Sequence, residues 1–274
     1  MTSPIDGGRV VVTGASSGIG RAIAELVAPR AKHLVLVARR KDRLEALAKV
    51  LRESHAGLEV TVLAADLADA AARKPLVEEI TSAVGEVDVL VNNAGLGDLG
   101  VFDRSKLEKQ IFMIRLNVEA LVDLTHAFLP SMVARGRGAI LMVSSGFGLS
   151  VMPGVATYAA TKHFVTGFTE ALALDLAGTG VHVGQLCPGP VKTEFEEQMG
   201  NFTGQKVPGF LEISAETCAK AGVAVIDRRR YLLIPHLLVW LSLVMAKYTP
   251  RWITRLVMKP IGKRLSREEL AKKG

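Results

Sequence analysis

Arg9-Val-Val-Val-Thr-Gly-Ala-Ser-Ser-Gly-Ile-Gly20 is the stretch whose reading decides the fold. An apolar run enters a turn carrying Gly14, Gly18 and Gly20, and a helical stretch, Ile19 to Ala28, follows. Glycines let the backbone turn tightly and approach a pyrophosphate closely. The helix start offers that anion unpaired N–H groups and a positive dipole end. Three glycines alone are a weak signal, and the strand before and helix after supply the context the reading requires.

The same alternation continues outward. Val10 to Thr13, Leu34 to Val37, Val60 to Ala64, Val87 to Asn92, Ala139 to Ser144 and Val181 to Cys187 read as buried strands, and Tyr231 to Pro235 as a seventh. Apolar strands separated by helical stretches indicate a parallel sheet covered on both faces. The chain of 274 residues, 49% of them apolar, suits a single doubly wound α/β domain. Its ligand cleft is expected beyond the carboxyl ends of the strands, where Asn93, Ser145 and Pro188 fall. Two long helices are expected, Arg104 to Arg135 broken at Pro130, and Thr157 to Ala177. A shorter one is expected over Arg43 to Arg52.

Tyr158 and Lys162, in Tyr-Ala-Ala-Thr-Lys, are four residues apart and share one helix face. A phenol has a pKa of about 10, and a nearby fixed cation favours its ionised form. That suits a reversible general acid–base. Ser145, just past a strand, can hydrogen-bond a carbonyl and hold it near the phenol. Such a Tyr–Lys pair is common by chance, so the other motifs decide its weight.

Those motifs resemble the classical short-chain dehydrogenase/reductase family. Thr13-Gly-Ala-Ser-Ser-Gly-Ile-Gly20, Asp66, Asn92-Asn-Ala-Gly95, Asn117, Ser145, Tyr158 with Lys162, and Pro188-Gly-Pro-Val-Lys-Thr193 occur in family order across most of residues 9 to 195. The resemblance implies a Rossmann-type fold and a catalytic set of Ser145, Tyr158, Lys162 and Asn117. In it Tyr158 exchanges the proton, Lys162 lowers the phenol pKa and binds the nicotinamide ribose, Ser145 orients the carbonyl, and Asn117 holds a water near Lys162. Implied cofactor contacts are Gly14, Ser16, Ser17, Gly18, Ile19 and Gly20 in the turn, Asp66 and Leu67 at the adenine, and Asn93, Ala94 and Gly95 in the cleft. Tyr158, Lys162, Pro188, Gly189, Val191 and Thr193 complete them at the nicotinamide end. The family commonly pairs its long helices across a dimer or tetramer interface, so a homo-oligomer is expected.

The second strand ends at Ala38, followed by Arg39, Arg40 and Lys41. In this fold an acid there would hold the ribose hydroxyls of NAD. Its absence, with arginines able to pair with an extra phosphate, favours NADP(H) over NAD(H), with Arg39 ahead of Arg40.

Aromatic residues are 5%, which offers no stacking platform for nucleic acid. Met-Thr-Ser-Pro-Ile-Asp-Gly-Gly lacks a basic stretch followed by an apolar one, and Cys187 and Cys218 fit a reducing interior. A cytoplasmic protein is therefore expected. The six histidines show no metal-ligand spacing, and His163 reads as structural.

Residues 226–274 carry twelve Lys or Arg against three acids, so the net charge of +7 belongs to them rather than to the core of residues 1–225. Tyr231 to Ala246 is nearly all apolar but short of the ~20 residues that span a bilayer. It splits into a strand and an apolar helix, Leu237 to Tyr248. A basic amphipathic helix, Arg251 to Lys259, follows, with Arg251, Arg255 and Lys259 on one stripe and Trp252 among its apolar residues. These helices suit a lid, a subunit interface or the surface of an anionic membrane.

Phe147, Phe195, Met199, Phe202, Phe210 and Leu96 are candidate substrate contacts, and with the apolar tail they favour a hydrophobic alcohol or carbonyl. The expected activity is an NADP(H)-dependent interconversion of carbonyl and alcohol. A redox-sensing protein that binds NADP(H) with little turnover is the rival reading.

Overall fold

The computed structural model describes residues 2–199 and 209–271. Its centre is a seven-stranded parallel sheet: β1 (Arg9–Thr13), β2 (His33–Ala38), β3 (Glu59–Ala64), β4 (Val89–Asn92), β5 (Gly138–Val143), β6 (Val181–Leu186) and β7 (Leu232–Leu233). The spatial order is β3-β2-β1-β4-β5-β6-β7. Val10 pairs with Leu34 on one side and Val89 on the other, so the order reverses at β1. The expected doubly wound sheet is present, and its switch point lies where the glycine turn leaves β1.

Every residue of β2, β4, β5 and β6 is buried, which is why these strands read as unbroken apolar runs. Side chains still alternate between faces. Val10 and Val12 join the core under helices α1 (Gly18–Val27), α2 (Lys41–Ser54) and α8 (Ala215–Asp227). Val11 joins the opposite core under α3 (Ala70–Val84), α5 (Ala120–Ala134) and α6 (Ala156–Asp175). The remaining helices are α4 (Leu107–Ile114), α7 (Glu194–Met199), α9 (Leu237–Tyr248) and α10 (Arg251–Ala271). The seventh strand exists but keeps only two residues, paired with Gln185 and Leu186.

Three helical expectations need correction. The stretch expected as one helix from Arg104 is a 3-10 turn, α4, a π turn over Arg115–Glu119, and α5. Nor does it break at Pro130. The helix runs through, because His126 and Pro130 both face solvent and the carbonyl left without an N–H partner can be hydrated. Likewise α10 passes Pro260 and continues beyond Lys259 to Ala271. No helix among the described residues is long and apolar enough to cross a membrane.

Candidate active site

Beyond the carboxyl ends of the strands lies a cavity of about 1250 Å³, bordered at one end by the glycine turn and at the other by Tyr158. Thr13 ties its floor together. The Thr13 hydroxyl donates to the Val91 carbonyl and accepts from the Asn93 and Ala94 N–H groups, each at 3.0 Å. Asn93 Nδ2 donates to the Thr13 carbonyl at 2.9 Å. Gly14 has φ +67°, a left-handed backbone that a side chain would strain. The helix behind it opens at Ser17, whose side chain caps no N–H, and no acid lies in its first turn. This turn therefore fits a dinucleotide pyrophosphate. Gly20 serves differently than expected and does not border the cavity. A Cβ there would sit 2.3 Å from Asn93 Nδ2, so the residue is small to let α1 pack against the β4 loop.

At the end near β2 and β3, Arg39, Arg40, Asp66 and Leu67 all border the cavity. Asp66 accepts from the Ala68 N–H at 3.0 Å. The Arg39 guanidinium lies over the Phe112 ring, 5.4 Å from its centre. Arg40 stands at the N-cap position of α2 and gives Nη2 to the hydroxyls of Ser16 and Ser17 at 3.1 and 2.9 Å. No acidic side chain follows β2 before α2 begins.

At the other end, Tyr158 and Lys162 project from α6, each 5% exposed. Burial pushes the Tyr158 phenol up to about 12, partly opposed by the nearby Ser145 hydroxyl. Burial also pushes the Lys162 ammonium down to about 8. The expectation that Lys162 lowers the phenol pKa is not met in this structure. Its Nζ donates to the Val143 carbonyl at 2.9 Å and lies 5.9 Å from the Tyr158 ring centre. Desolvation is the largest cause of the shift in each group.

Asn117 does not border the cavity either. The π turn turns it inward, where Oδ1 accepts from the Leu96 N–H and Nδ2 donates to the Leu96 carbonyl and Thr161 Oγ. Its side chain clamps the loop beside Gly95. Single π turns of this kind recur at functional sites. Cys187 lies just past β6 rather than within it, fully buried, with its thiol pushed up to about 12 by burial.

The remaining walls are mostly apolar, with Glu196, Glu212, Ser150 and Ser242 among them. Phe147 meets the Tyr158 ring edge-on at 6.0 Å, and Phe195 approaches it at 5.8 Å. Met199 also borders the cavity, whereas Leu96 stands behind Asn117 and Phe210 is 68% exposed. Phe202 lies outside the described residues. Leu238, Val239 and Leu243 of α9 and Ile261 and Leu265 of α10 complete the wall. The sequence marked α9 as apolar but not which of its faces would turn inward. Its outer face leaves Leu237, Leu241, Met245 and Tyr248 exposed, beside exposed Arg251, Arg255 and Lys259.

Residues 9–203 match the family model described as short chain dehydrogenase. The chain is 36% identical over 191 residues to glycine betaine reductase ATRR of Emericella nidulans, covering 70% of this chain but only 15% of that longer protein. It is 35% identical to the short-chain dehydrogenase from Sphingobium yanoikuyae in complex with NADPH, with a TM-score of 0.76 over 88% of this chain and 93% of that one. It is 28% identical to a short chain dehydrogenase/reductase from Burkholderia phymatum in complex with NAD, with a TM-score of 0.77 over 88% and 93%. Taken with the glycine turn and the Ser145, Tyr158 and Lys162 wall, these likenesses identify the chain as a member of the short-chain dehydrogenase/reductase family, an oxidoreductase acting on CH–OH groups with a nicotinamide cofactor.

Proposed function

We propose that this protein interconverts a hydrophobic carbonyl and its alcohol with NADP(H), with Tyr158 as general acid–base. The observation that carries the reading is one cavity that joins the glycine turn to a buried phenol, with the Ser145 hydroxyl on the same wall. When bound, the nicotinamide supplies or accepts the hydride. The chain's residues do the rest. Ser145 holds the substrate oxygen, and Tyr158 gives it a proton in reduction or takes one in oxidation. A phenol held well above neutrality stays protonated, ready to act as the acid of a reduction. Lys162 holds the nicotinamide ribose and adds positive charge beside the phenol. Phe147, Phe195, Leu243 and Leu265 exclude water and favour an apolar substrate.

Arg39 and Arg40, without a competing acid at the end of β2, support NADP(H) over NAD(H). We take the enzyme to act as a homo-oligomer, and the outer face of α9 and α10 to rest on anionic lipid, since exposed apolar residues and a basic stripe adjoin there. The reading is tested by NADPH consumption against medium- and long-chain ketones and aldehydes. Wild type should turn over at least one of them, while Tyr158→Phe should bind NADPH and turn over none. Equal rates for the two proteins would remove Tyr158 from the chemistry.

A further inference from the structure

Glu194, the first residue of α7, reaches across the rim of the cavity to the start of α2. Its Oε2 accepts from Arg40 Nη1 at 2.8 Å and its Oε1 from Arg43 Nη1 at 2.6 Å. Arg40 turns its other nitrogen to the Ser16 and Ser17 hydroxyls. Two guanidinium groups and two hydroxyls thus gather around one carboxylate, and the chain supplies its own anion. The two arginines hold that carboxyl below the usual range. This is donor chemistry that suits a phosphate monoester, which offers more acceptor oxygens and more charge than a carboxylate. The side chains of the bridge are 35% to 43% exposed, so exchanging one anion for another there is cheap.

The other end of the bridge touches the chemistry. Phe195, next after Glu194, stands against the Tyr158 ring, and the Met199 carbonyl at the end of α7 accepts from the Leu99 N–H at 3.0 Å. Phe195 and Met199 pack with Met113, Val155 and Tyr158 in one apolar cluster. What holds the head of α7 therefore also positions a wall of the substrate cavity.

We propose that Glu194 is a carboxylate latch that competes with the 2′-phosphate of NADP(H) for Arg40 and Arg43. A phosphorylated dinucleotide releases the head of α7, and an unphosphorylated one leaves it fastened. The inference rests on the nicotinamide dinucleotide occupying this cavity as proposed above. Coupling of this kind is reciprocal, so the latch weakens the phosphorylated nucleotide by the same factor that the nucleotide loosens the latch.

The test is the dissociation constant of NADPH and of NADH, read by dihydronicotinamide fluorescence, for wild type and Glu194→Gln. The glutamine keeps the shape and removes the charge. NADPH should bind about two- to fivefold tighter to the variant, while NADH is unchanged. Amide exchange at residues 194–199 should speed up in wild type with NADPH and not with NADH, and should be fast in the variant with either. An equal change for both nucleotides, or weaker NADPH binding, would overturn the latch and make Glu194 a support for Arg40. If wild type prefers NADH but Glu194→Gln still tightens NADPH alone, the latch stands and the NADP(H) preference fails.

Discussion

Helix α6 buries Tyr158, Thr161, Lys162, Thr166 and Thr169, whereas α9 leaves Leu237, Leu241, Met245 and Tyr248 between 45% and 77% exposed. The two helices depart from ordinary burial in opposite senses. In α6 the polar groups are answered internally. Thr169 bonds the Val165 carbonyl, Thr166 pairs with Ser144, and Lys162 with the Val143 carbonyl. The lysine is still held under desolvation that one hydrogen bond does not offset. On α9, Val239 and Leu243 are buried against Cys187 and Ile234, while the outer face stays exposed. The comparison teaches that buried charge marks where chemistry is done, and exposed apolar surface marks where something else must dock.

The strongest way to break the comparison is Lys162→Met. Turnover should fall by about 10²-fold or more, the scale of losing support for a general acid–base. The same variant, without added cofactor, should be more stable than wild type at pH 7. A folded-state pKa of about 8 against an ordinary 10.5 corresponds to about 3 kcal/mol of destabilisation while the lysine is charged in both states. Across that window the folded protein binds fewer protons than the unfolded chain, so wild-type stability rises as pH rises from about 8 to 10.5. Urea melts should show the advantage of Lys162→Met shrinking over the same interval. A variant less stable than wild type at pH 7 would mean that the lysine is a net support of the fold.

Next comes the exposed face. Reversing charge at both Arg251 and Arg255 should weaken binding to anionic vesicles by about 2 kcal/mol or more, since each basic residue near such a surface contributes about 1 kcal/mol. Turnover of a water-soluble carbonyl should be unaffected. Vesicle cosedimentation equal to wild type would assign the face to a subunit interface instead. The smallest effect sharpens the cofactor end. Arg39→Ala should weaken NADPH binding about tenfold and leave NADH unchanged, as loss of one charge-assisted contact implies. Equal affinities before and after would place the 2′-phosphate on Arg40 and Arg43 without Arg39.

Much of this was legible from local pattern. The strands announced themselves because they are buried on both faces, and the turn after Thr13 because only glycine adopts its backbone without strain. The Tyr158–Lys162 pair follows directly from helical spacing. What escaped depends on contacts between distant residues or on which side of an element faces inward. Glu194 meets Arg40 across 154 positions of chain, and no spacing rule anticipates that. Asn117 was marked as a site residue, but the π turn that directs it to Leu96 arises from packing. Helix α9 is apolar nearly all round, so its sequence could not say that Val239 and Leu243 turn inward. Pro130 misled because the penalty for an interior proline depends on whether water reaches the freed carbonyl.

The most direct test of the central claim follows the hydride itself. Wild type and Tyr158→Phe would be incubated with NADPH deuterated at nicotinamide C4 and a panel of long-chain ketones, and the alcohols analysed by mass spectrometry. The account predicts deuterium at the carbinol carbon of at least one product with wild type and none with the variant, although both bind the nucleotide. NADPH bound by both proteins with no deuterium transferred to any carbonyl would contradict it and leave a nucleotide-sensing protein in its place.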